Sequence, residues 1–281
     1  MNRLQLVELE DQPWVPRTLR DGATDLLDVL TTKAGVYRPL APTLGAFMET
    51  VGNRRWFDLC SGGGGGALAM RAELVARGQG PGHITLSDRY PNEAAQRRVA
   101  ALADATVRYL PDPIDALDVP SHAPAIRTMF SALHHFPPAT VRRILQAAVA
   151  ARAPLAFVDV AASPVMRRLP AWLAPMAAVP NLLLLFVLAL LLVPLARPVR
   201  WSRLVWTYLV PAIPALFAWD GTVSALRAYT PEELLALAGS VPGSERYRWA
   251  AGRVGQSLFF TGYEGRQPAH PGLHERDSRV S

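Results

Sequence analysis

Short apolar runs alternate with amphipathic segments between residues 51 and 162. Each run is continuous, which is typical of parallel strands that are covered by helices on both faces of a sheet. The runs predict strands at 56–58, 83–88, 106–110, 125–130 and 155–160. Further on, 246–254 and 256–263 predict an antiparallel pair that turns at Gly255. This order of elements indicates an α/β fold with a mostly parallel sheet.

Helical segments flank these strands. The first 50 residues contain amphipathic stretches, which predict an N-terminal helical cap. Thr230, Pro231 and Glu233 have the pattern of a helix start, in which the threonine and the glutamate cap each other's backbone amides. The predicted regions are a helical cap (1–50), one α/β domain (51–162 plus 220–265), an apolar helical insertion (163–219) and a disordered tail (266–281).

The insertion is the most apolar part of the chain. No residue from 169 to 196 is charged, and arginines lie on both sides of this stretch. It is long enough to cross a bilayer, which takes about 20 residues. The chain must nevertheless return to the sheet, and the second apolar stretch, 204–219, is interrupted by Pro211 and Pro214. We therefore expect a helical hairpin within 169–219 that dips into one leaflet of a membrane, with its arginines at the headgroups. An apolar lid or a dimer interface in a soluble enzyme is the alternative.

Composition narrows the classes of partner and compartment. The net charge is +6, but no dense arginine run is interleaved with aromatic residues, so we expect no nucleic-acid partner. The excess of arginine over lysine, with much alanine, glycine and proline, is typical of a GC-rich genome. The single cysteine, Cys60, excludes an internal disulfide and agrees with a reducing cytoplasm. The first residues carry acids and lack the apolar core of a secretory signal. We expect the cytoplasmic face of the cell membrane, or else the cytoplasm.

Chemistry-bearing residues stand at the ends of the predicted strands. Asp58 ends the first strand, and residues 62–66 are all glycine. A glycine-rich turn between a strand and a helix lets the backbone approach a nucleotide-type cofactor. Asp88 ends the second strand, where a carboxylate suits the hydroxyls of a ribose. These features alone fit both a nicotinamide cofactor and S-adenosylmethionine.

The strand-end residues, taken in order, resemble those of the class I S-adenosylmethionine-dependent methyltransferases, whose first motif reads roughly acid-x-G-x-G-x-G. Asp58, Gly62 and Gly64 lie on that motif, and Cys60 replaces its first glycine. The resemblance covers about residues 50–162 and resumes near residue 220. It implies a Rossmann-like sheet, mostly parallel with its last strand antiparallel, carrying an N-terminal helical cap and the apolar insertion. It also implies S-adenosyl-L-methionine as the cofactor.

The same resemblance implies the cofactor contacts. Asp58, Gly62 and Gly64 would meet the methionine end, Asp88 the ribose, and Asp112 the adenine amino group. The full set of implied cofactor-binding residues is Arg38, Asp58, Cys60, Gly62, Gly64, Asp88, Arg89, Asp112, Pro113, Ile114 and Ser131. Within this set Arg38 would reach the cofactor carboxylate, and a solvated arginine near a helix end is the alternative.

Two histidines follow the fourth predicted strand, at the edge where ligands of open α/β sheets bind. Methyl transfer from a sulfonium is an in-line displacement, and a positioned base assists it when the acceptor is a hydroxyl or an amine. We therefore predict that His134 or His135, with His134 first, is the base or orients the substrate. The alternative is that both only pack the loop. We expect no metal, because adjacent histidines rarely bind one ion together and no acidic cluster is expected to surround them.

Where the insertion returns to the sheet, polar residues are concentrated. Asp220, Arg227 and Tyr229 are the predicted substrate contacts, and an Asp–Arg pair that fixes the hinge is the alternative. Together these features predict a membrane-associated methyltransferase that acts on a lipophilic small molecule or lipid, with oxygen as the favoured acceptor. Two further hypotheses stay open: a non-catalytic or differently catalytic binding protein on a methyltransferase scaffold, and a nicotinamide-dependent reductase. The reductase is disfavoured because the one lysine, Lys33, lies too early to serve a Tyr-x-x-x-Lys pair.

Overall fold

The structure is a computed structural model, and it describes residues 6–33, 35–120, 125–161, 174–197 and 199–265. The predicted disordered tail and the beginning of the insertion, up to residue 173, lie outside the described residues.

One seven-stranded sheet forms the centre of the described chain. Its strands lie in the order β3-β2-β1-β4-β5-β7-β6, and all neighbours are parallel except β5–β7 and β6–β7, which are antiparallel. The strands are β1 (Arg55–Asp58), β2 (His83–Leu86), β3 (Val107–Tyr109), β4 (Ile126–Phe130), β5 (Leu155–Asp159), β6 (Tyr247–Val254) and β7 (Ser257–Glu264). The predicted mostly parallel sheet with an antiparallel last strand is confirmed.

Helices cover both faces of the sheet. The helices are α1 (Arg17–Lys33), α2 (Ala41–Val51), α3 (Gly65–Val75), α4 (Glu93–Ala101), α5 (Pro138–Ala150), α6 (Ala174–Leu192), α7 (Trp201–Leu204), α8 (Ala212–Arg227) and α9 (Pro231–Gly239). Adjacent β1 residues point to opposite faces, so that Phe57 joins the core with α5 and α9 while Trp56 joins the core with α2, α3 and α4. Burial on both faces explains why the parallel strands are continuously apolar.

The predicted helix start after the insertion is present as a capping box. Thr230 Oγ1 accepts a hydrogen bond from the backbone amide of Glu233 at 3.2 Å, and the Glu233 carboxylate accepts from the Thr230 amide at 3.0 Å. Two amides that a helix start leaves without intrahelical partners are thereby satisfied, and α9 begins at a defined residue.

The insertion contains a helical hairpin. Asn181 Nδ2 of α6 donates to Thr222 Oγ1 of α8 at 3.0 Å, while Ala189, further along α6, packs with Ile213 and Phe217, earlier along α8. Contacts that run in opposite directions along the two helices show that they are antiparallel. Helix α8 lies against α1 as well, so it is buried between α1 and α6.

Candidate active site

The glycine-rich turn after β1 adopts backbone dihedral angles that are sterically unfavourable for residues other than glycine. Gly62 and Gly64 have φ angles of 49° and 78°, in the left-handed region that glycine enters without a steric cost. Cys60, the departure from the family motif, also has a positive φ of 54°. A side chain with a Cβ in this region stores backbone strain, which is frequent at functional sites.

Asp58 is held inside the turn. Its carboxylate accepts hydrogen bonds from Ser61 Oγ at 2.6 Å and from Thr128 Oγ1, on β4, at 2.7 Å. Burial raises the pKa of Asp58 to about 6, and the two hydroxyl bonds act in the opposite direction. This carboxylate therefore ties the end of β1 to β4 and stands at the base of the predicted cofactor site.

Asp88 connects the tips of β1 and β2. Its Oδ2 accepts a hydrogen bond from the Gly62 amide at 2.8 Å, and the Ile114 amide donates to its backbone carbonyl at 2.8 Å. The second contact places the 112–114 segment beside Asp88. The residues predicted for the methionine end, the ribose and the adenine thus lie along one edge of β1, β2 and β3. Carboxylates and backbone groups in this order fit the hydroxyls and the amino group of an adenosine.

The remaining predicted cofactor residues have different surroundings. Arg89 lies 3.7 Å from Asp115 at the surface, near the 112–114 segment. The structure does not bring Arg38 into the group at the sheet edge, because its Nε lies 3.1 Å from Glu73 Oε1 on α3. Ser131 stands at the end of β4, with a φ of 53°.

Tyr37, next to Arg38, is a site residue that the sequence analysis did not identify. Its hydroxyl lies 2.8 Å from Ser131 Oγ, and its side chain is buried. Burial raises the pKa of Tyr37, so the phenol stays protonated. Gly66 leaves room for it, since a Cβ at that position would come 3.0 Å from the phenol oxygen and 2.6 Å from Phe130 Cβ. The cap region therefore reaches the sheet edge through this tyrosine.

His134 is buried at the end of β4 and is oriented by a carboxylate on β5. Its Nδ1 lies 2.7 Å from Asp159 Oδ2. Because an ionised carboxylate only accepts hydrogen bonds, Nδ1 carries the proton of this bond and Nε2 points to the other side. Burial alone would raise the pKa of Asp159, but the charge and hydrogen bond of His134 lower it below its usual value. A His–Asp pair of this kind fits a general base that is held in one tautomer.

The N-terminal segment brings carboxylates to the other side of the histidines. Glu8 Oε2 lies 3.0 Å from His135 Nδ1, and Asp11 Oδ2 lies 3.3 Å from the same nitrogen. Burial would lower the pKa of His135, but Asp11 and Glu8 raise it to about 10. The expectation that no acidic cluster surrounds the histidines is wrong, because the acids come from a segment 124 residues earlier in the sequence.

Arg227 and Asp220, two of the predicted substrate residues, hold this segment in place. Asp220 accepts hydrogen bonds from the amides of Leu9 and Glu10 at 2.6 and 2.8 Å. Arg227 Nη1 lies 3.2 Å from Glu8 Oε1, and its Nη2 donates to the His135 carbonyl at 2.8 Å. Both side chains therefore connect the insertion to the segment that covers the histidines.

Tyr229, the third predicted substrate residue, supports the histidine loop. Its hydroxyl donates to the Phe136 carbonyl at 2.7 Å, and its ring is fully buried in the core. The structure thus places Tyr229 behind the loop rather than on the side of His134 that faces Glu8.

Comparison with solved structures identifies the fold. Human N-acetylserotonin methyltransferase, in complex with S-adenosylmethionine, has 13% identity and a TM-score of 0.50, covering 88% of this chain and 56% of its own. An O-methyltransferase family protein from Burkholderia thailandensis has 14% identity and a TM-score of 0.47, covering 87% and 62%. A putative O-methyltransferase from Nostoc punctiforme has 11% identity and a TM-score of 0.47, covering 94% and 64%. The chain thus spans less than two thirds of the length of each of these proteins.

No family model and no curated protein matches the chain. The fold evidence therefore consists of the strand order, the antiparallel last strand and the likeness to human N-acetylserotonin methyltransferase. From these observations we conclude that the chain has the Rossmann-like fold of the class I S-adenosylmethionine-dependent methyltransferases.

Proposed function

We propose that the protein is an S-adenosylmethionine-dependent methyltransferase that works at a membrane surface on a lipophilic small molecule or lipid, with oxygen as the favoured acceptor. The observation that carries the proposal is the bond between the Gly62 amide and Asp88, which joins the glycine turn to the tip of β2. It brings the carboxylate and the turn together at the edge where ligands of open α/β sheets bind.

His134 is the proposed base. The cofactor, when bound, supplies the methyl group as a sulfonium substituent. His134 Nε2 would accept the proton that the acceptor hydroxyl loses when it is methylated. Asp159, 2.7 Å from Nδ1, stabilises the resulting imidazolium. Most of the rate enhancement then comes from alignment in a pocket that excludes water.

The proposed membrane contact is the outer face of α6. The segment Ala178–Leu195 is long and apolar enough to cross a membrane, yet only 11% of it is buried within the protein. The large apolar side chains exposed between residues 174 and 210 are Met176, Val179, Leu183, Leu184, Val187, Leu191, Leu195, Val199, Trp201, Val205, Tyr208, Leu209 and Val210. Exposed apolar side chains in this number are typical of membrane or protein contacts.

The other face of α6 argues for insertion into one leaflet. It is bonded to α8 through Asn181 and Thr222, and the Tyr208 hydroxyl donates to the Leu190 carbonyl at 2.7 Å. Helix α8 is in turn packed on α1, so one side of α6 is covered by protein along its length. A helix covered in this way lies in the interface with its free side in the acyl region, as a monotopic helix does.

The hairpin also connects the proposed membrane surface to the histidines. The last residue of α8, Arg227, donates to the His135 carbonyl. A substrate that entered along the hairpin would therefore arrive beside His134. This proximity supports a lipophilic substrate taken from the membrane and a location at the cytoplasmic face of the cell membrane.

Calorimetric titration with S-adenosylhomocysteine tests the cofactor. Asp112→Ala should weaken binding at least tenfold, because it removes the carboxylate proposed to meet the adenine amino group. Asp112 is exposed, so its loss should not disturb the fold of the turn. Asp118→Ala, exposed six positions later, is the matched control and should bind as the unchanged protein does. Absence of binding in the folded, unchanged protein, or binding of NADH instead, would refute the cofactor assignment.

Methyl transfer is tested with S-adenosylmethionine carrying a radioactive methyl group and with lipid extracts as acceptors. His134→Gln should abolish transfer while S-adenosylhomocysteine still binds, since the histidine acts on the acceptor. Unchanged transfer by this variant would exclude His134 as the base.

A second function, binding without turnover, is favoured by one observation. Glu8 and His134 are both only 3% exposed, and the carboxylate covers the side of the histidine that a substrate would approach. A protein of this kind would bind S-adenosylhomocysteine but transfer no methyl group to any acceptor fraction. The calorimetric titration and the methyl-transfer assay together distinguish it from the enzyme.

A further inference from the structure

We propose that Glu8, His134 and His135, named here the His–Glu cluster, bind a divalent transition-metal ion. One ligand atom from each of these three residues lies within 4.8 Å of the other two. Glu8 and His134 are almost completely buried, and His135 is partly exposed. The cluster therefore combines a closed inner side with one side that is open to a further ligand.

The distances within the cluster are close to those of a metal site. Zinc binds nitrogen and oxygen at about 2.0–2.2 Å, so tetrahedral ligand atoms lie roughly 3.3 Å apart. The Glu8 carboxylate lies 3.0 Å from His135 Nδ1 and 3.9 Å from His134 Nε2. These two contacts are made by different oxygens of Glu8, Oε2 and Oε1, and the three ligand atoms lie within 4.8 Å of one another. Metal binding would therefore draw the ligand atoms together by at most about 1.5 Å.

The orientation of His134 is the second observation that points to a cation. Nδ1–H donates its hydrogen bond to Asp159, so Nε2 of the neutral imidazole turns its lone pair toward the carboxylate of Glu8. Arg227 Nη1 and the Ser224 hydroxyl also contact Oε1 of Glu8, at 3.2 and 3.0 Å. An imidazole nitrogen whose lone pair faces a carboxylate, with its other nitrogen held by a second carboxylate, is the donor arrangement of a histidine–carboxylate metal site.

The formal charge of the groups around the cluster is also negative enough to be balanced by a divalent ion. Three carboxylates, Glu8, Asp11 and Asp159, contact the two histidines, and Arg227 is the permanent cation that contacts Glu8. With both imidazoles neutral, the sum over these groups is −2. One divalent ion balances that charge, as two protons on the imidazoles would.

The donor set selects the class of ion. Imidazole nitrogens with a carboxylate suit zinc and its neighbours in the first transition row rather than magnesium or calcium, which prefer oxygen alone. Asp11, 3.3 Å from His135 Nδ1, is placed to approach as a fourth ligand. Asp159 would hold His134 from behind, the carboxylate–histidine–metal arrangement that fixes ligand orientation.

This site does not depend on methyl transfer, because it uses none of the predicted cofactor residues. With the ion bound, His134 Nε2 would be a metal ligand in place of the proposed base, and the ion would itself lower the pKa of a bound acceptor hydroxyl. Metal binding and cofactor binding are measured separately, so either proposal can fail while the other holds.

The test is titration of tag-free, chelator-treated full-length protein with Zn²⁺ by calorimetry and with Co²⁺ by visible absorption. We expect one ion per chain and a Co²⁺ spectrum of a low-coordinate nitrogen–oxygen site. Glu8→Gln and His135→Asn should each weaken Zn²⁺ binding at least a hundredfold and remove the Co²⁺ absorption. Circular dichroism checks that the variants remain folded.

Matched controls lie on the exposed surface. His83→Asn and Glu245→Gln remove the same functional groups away from the cluster and should leave the affinity unchanged. If the variants in the cluster fail to fold, the Co²⁺ spectrum of the unchanged protein tests the proposal by itself. A low-coordinate nitrogen–oxygen spectrum supports the site, and the spectrum of hexaaqua Co²⁺ would overturn it. Lack of stoichiometric binding, or an equal loss in His83→Asn, would overturn it as well.

Discussion

Helices α6 and α8 are the two arms of one apolar hairpin, yet they have opposite surroundings. Helix α8 is buried along most of its length between α1 and α6, with Ile213, Leu216 and Val223 in the interior. Helix α6 is longer and more apolar, and nevertheless exposes Leu184 and Leu191 by 64% and 66%. Apolar composition therefore does not by itself determine which helix enters the protein core.

The polar residues explain the difference. Helix α8 carries Asp220, Thr222, Ser224 and Arg227, and each of them has a hydrogen-bond partner within the protein. Helix α6 has Asn181 as its one strongly polar side chain, and that side chain faces α8. Burial of α8 beside the polar N-terminal segment satisfies its polar groups, whereas the outer face of α6 has none that need protein partners. Such a face is suited to the interior of a bilayer.

The largest expected effect concerns membrane binding by the exposed arm. The double variant Leu184→Glu/Leu191→Glu should reduce partition onto phospholipid vesicles at least a hundredfold. Each buried leucine contributes about 1.5–3 kcal/mol of apolar transfer, and the added charges oppose insertion. Co-sedimentation with vesicles measures the partition.

Val75→Glu/Leu102→Glu is the matched control, because both residues are exposed apolar side chains outside the hairpin. It should leave partition unchanged. Equal partition of the α6 variant and the unchanged protein would show that α6 does not bind the membrane. A protein partner would then be the expected occupant of its exposed face.

The free energy of unfolding should depend more on the buried helix α8 than on the exposed helix α6. Leu216 of α8 is 5% exposed and packs with Val15 and Ala23, so Leu216→Ala should lower the free energy of unfolding by about 2–5 kcal/mol. Leu184→Ala should change it by about 0.5 kcal/mol or less, as exposed positions usually do. Urea unfolding without lipid compares the two. Similar losses would mean that α6 is buried in solution.

Charge at the edge of the hairpin should have a smaller effect. Arg197, just beyond α6, is exposed, and a basic residue near an anionic bilayer contributes about 1 kcal/mol. Arg197→Gln should therefore weaken binding to anionic vesicles by roughly fivefold and leave binding to neutral vesicles unchanged. Arg142→Gln on α5 is the control, and high salt should remove the difference. An equal loss on neutral vesicles would show that the arginine acts through packing.

Much of the fold was predictable because its signals are local. All seven strands, the capping box at Thr230 and the turn at Gly255 were predicted from patterns within about ten residues, and the structure confirms them. The hairpin itself followed from the need of the chain to return to the sheet. Which arm is buried did not, because both are apolar and only the position of the N-terminal segment distinguishes them.

The site was predictable only in part. Asp58 is the last residue of β1 and Asp88 comes two residues after β2, and Asp159 is likewise the last residue of β5, a signal that would have identified it. Glu8 and Tyr37 carry no comparable signal, because each meets its partner across about a hundred residues of sequence. The cap was expected near the cofactor, but tertiary packing alone decides that its carboxylates reach the histidines.

The smallest effect tests what keeps α6 on α8. Thr222→Val preserves the shape of a buried side chain and removes the oxygen that accepts from Asn181 Nδ2 and donates to the Ala218 carbonyl. It should cost about 1 kcal/mol, the usual net contribution of one hydrogen bond, because the bond to the carbonyl four residues earlier in the same helix adds little. Asn181→Ala removes the other partner, so the double variant should cost little more than Thr222→Val alone. If instead the two costs add, the bond does not couple the helices, and apolar packing around Ala189 and Phe217 would have to hold the exposed arm in place.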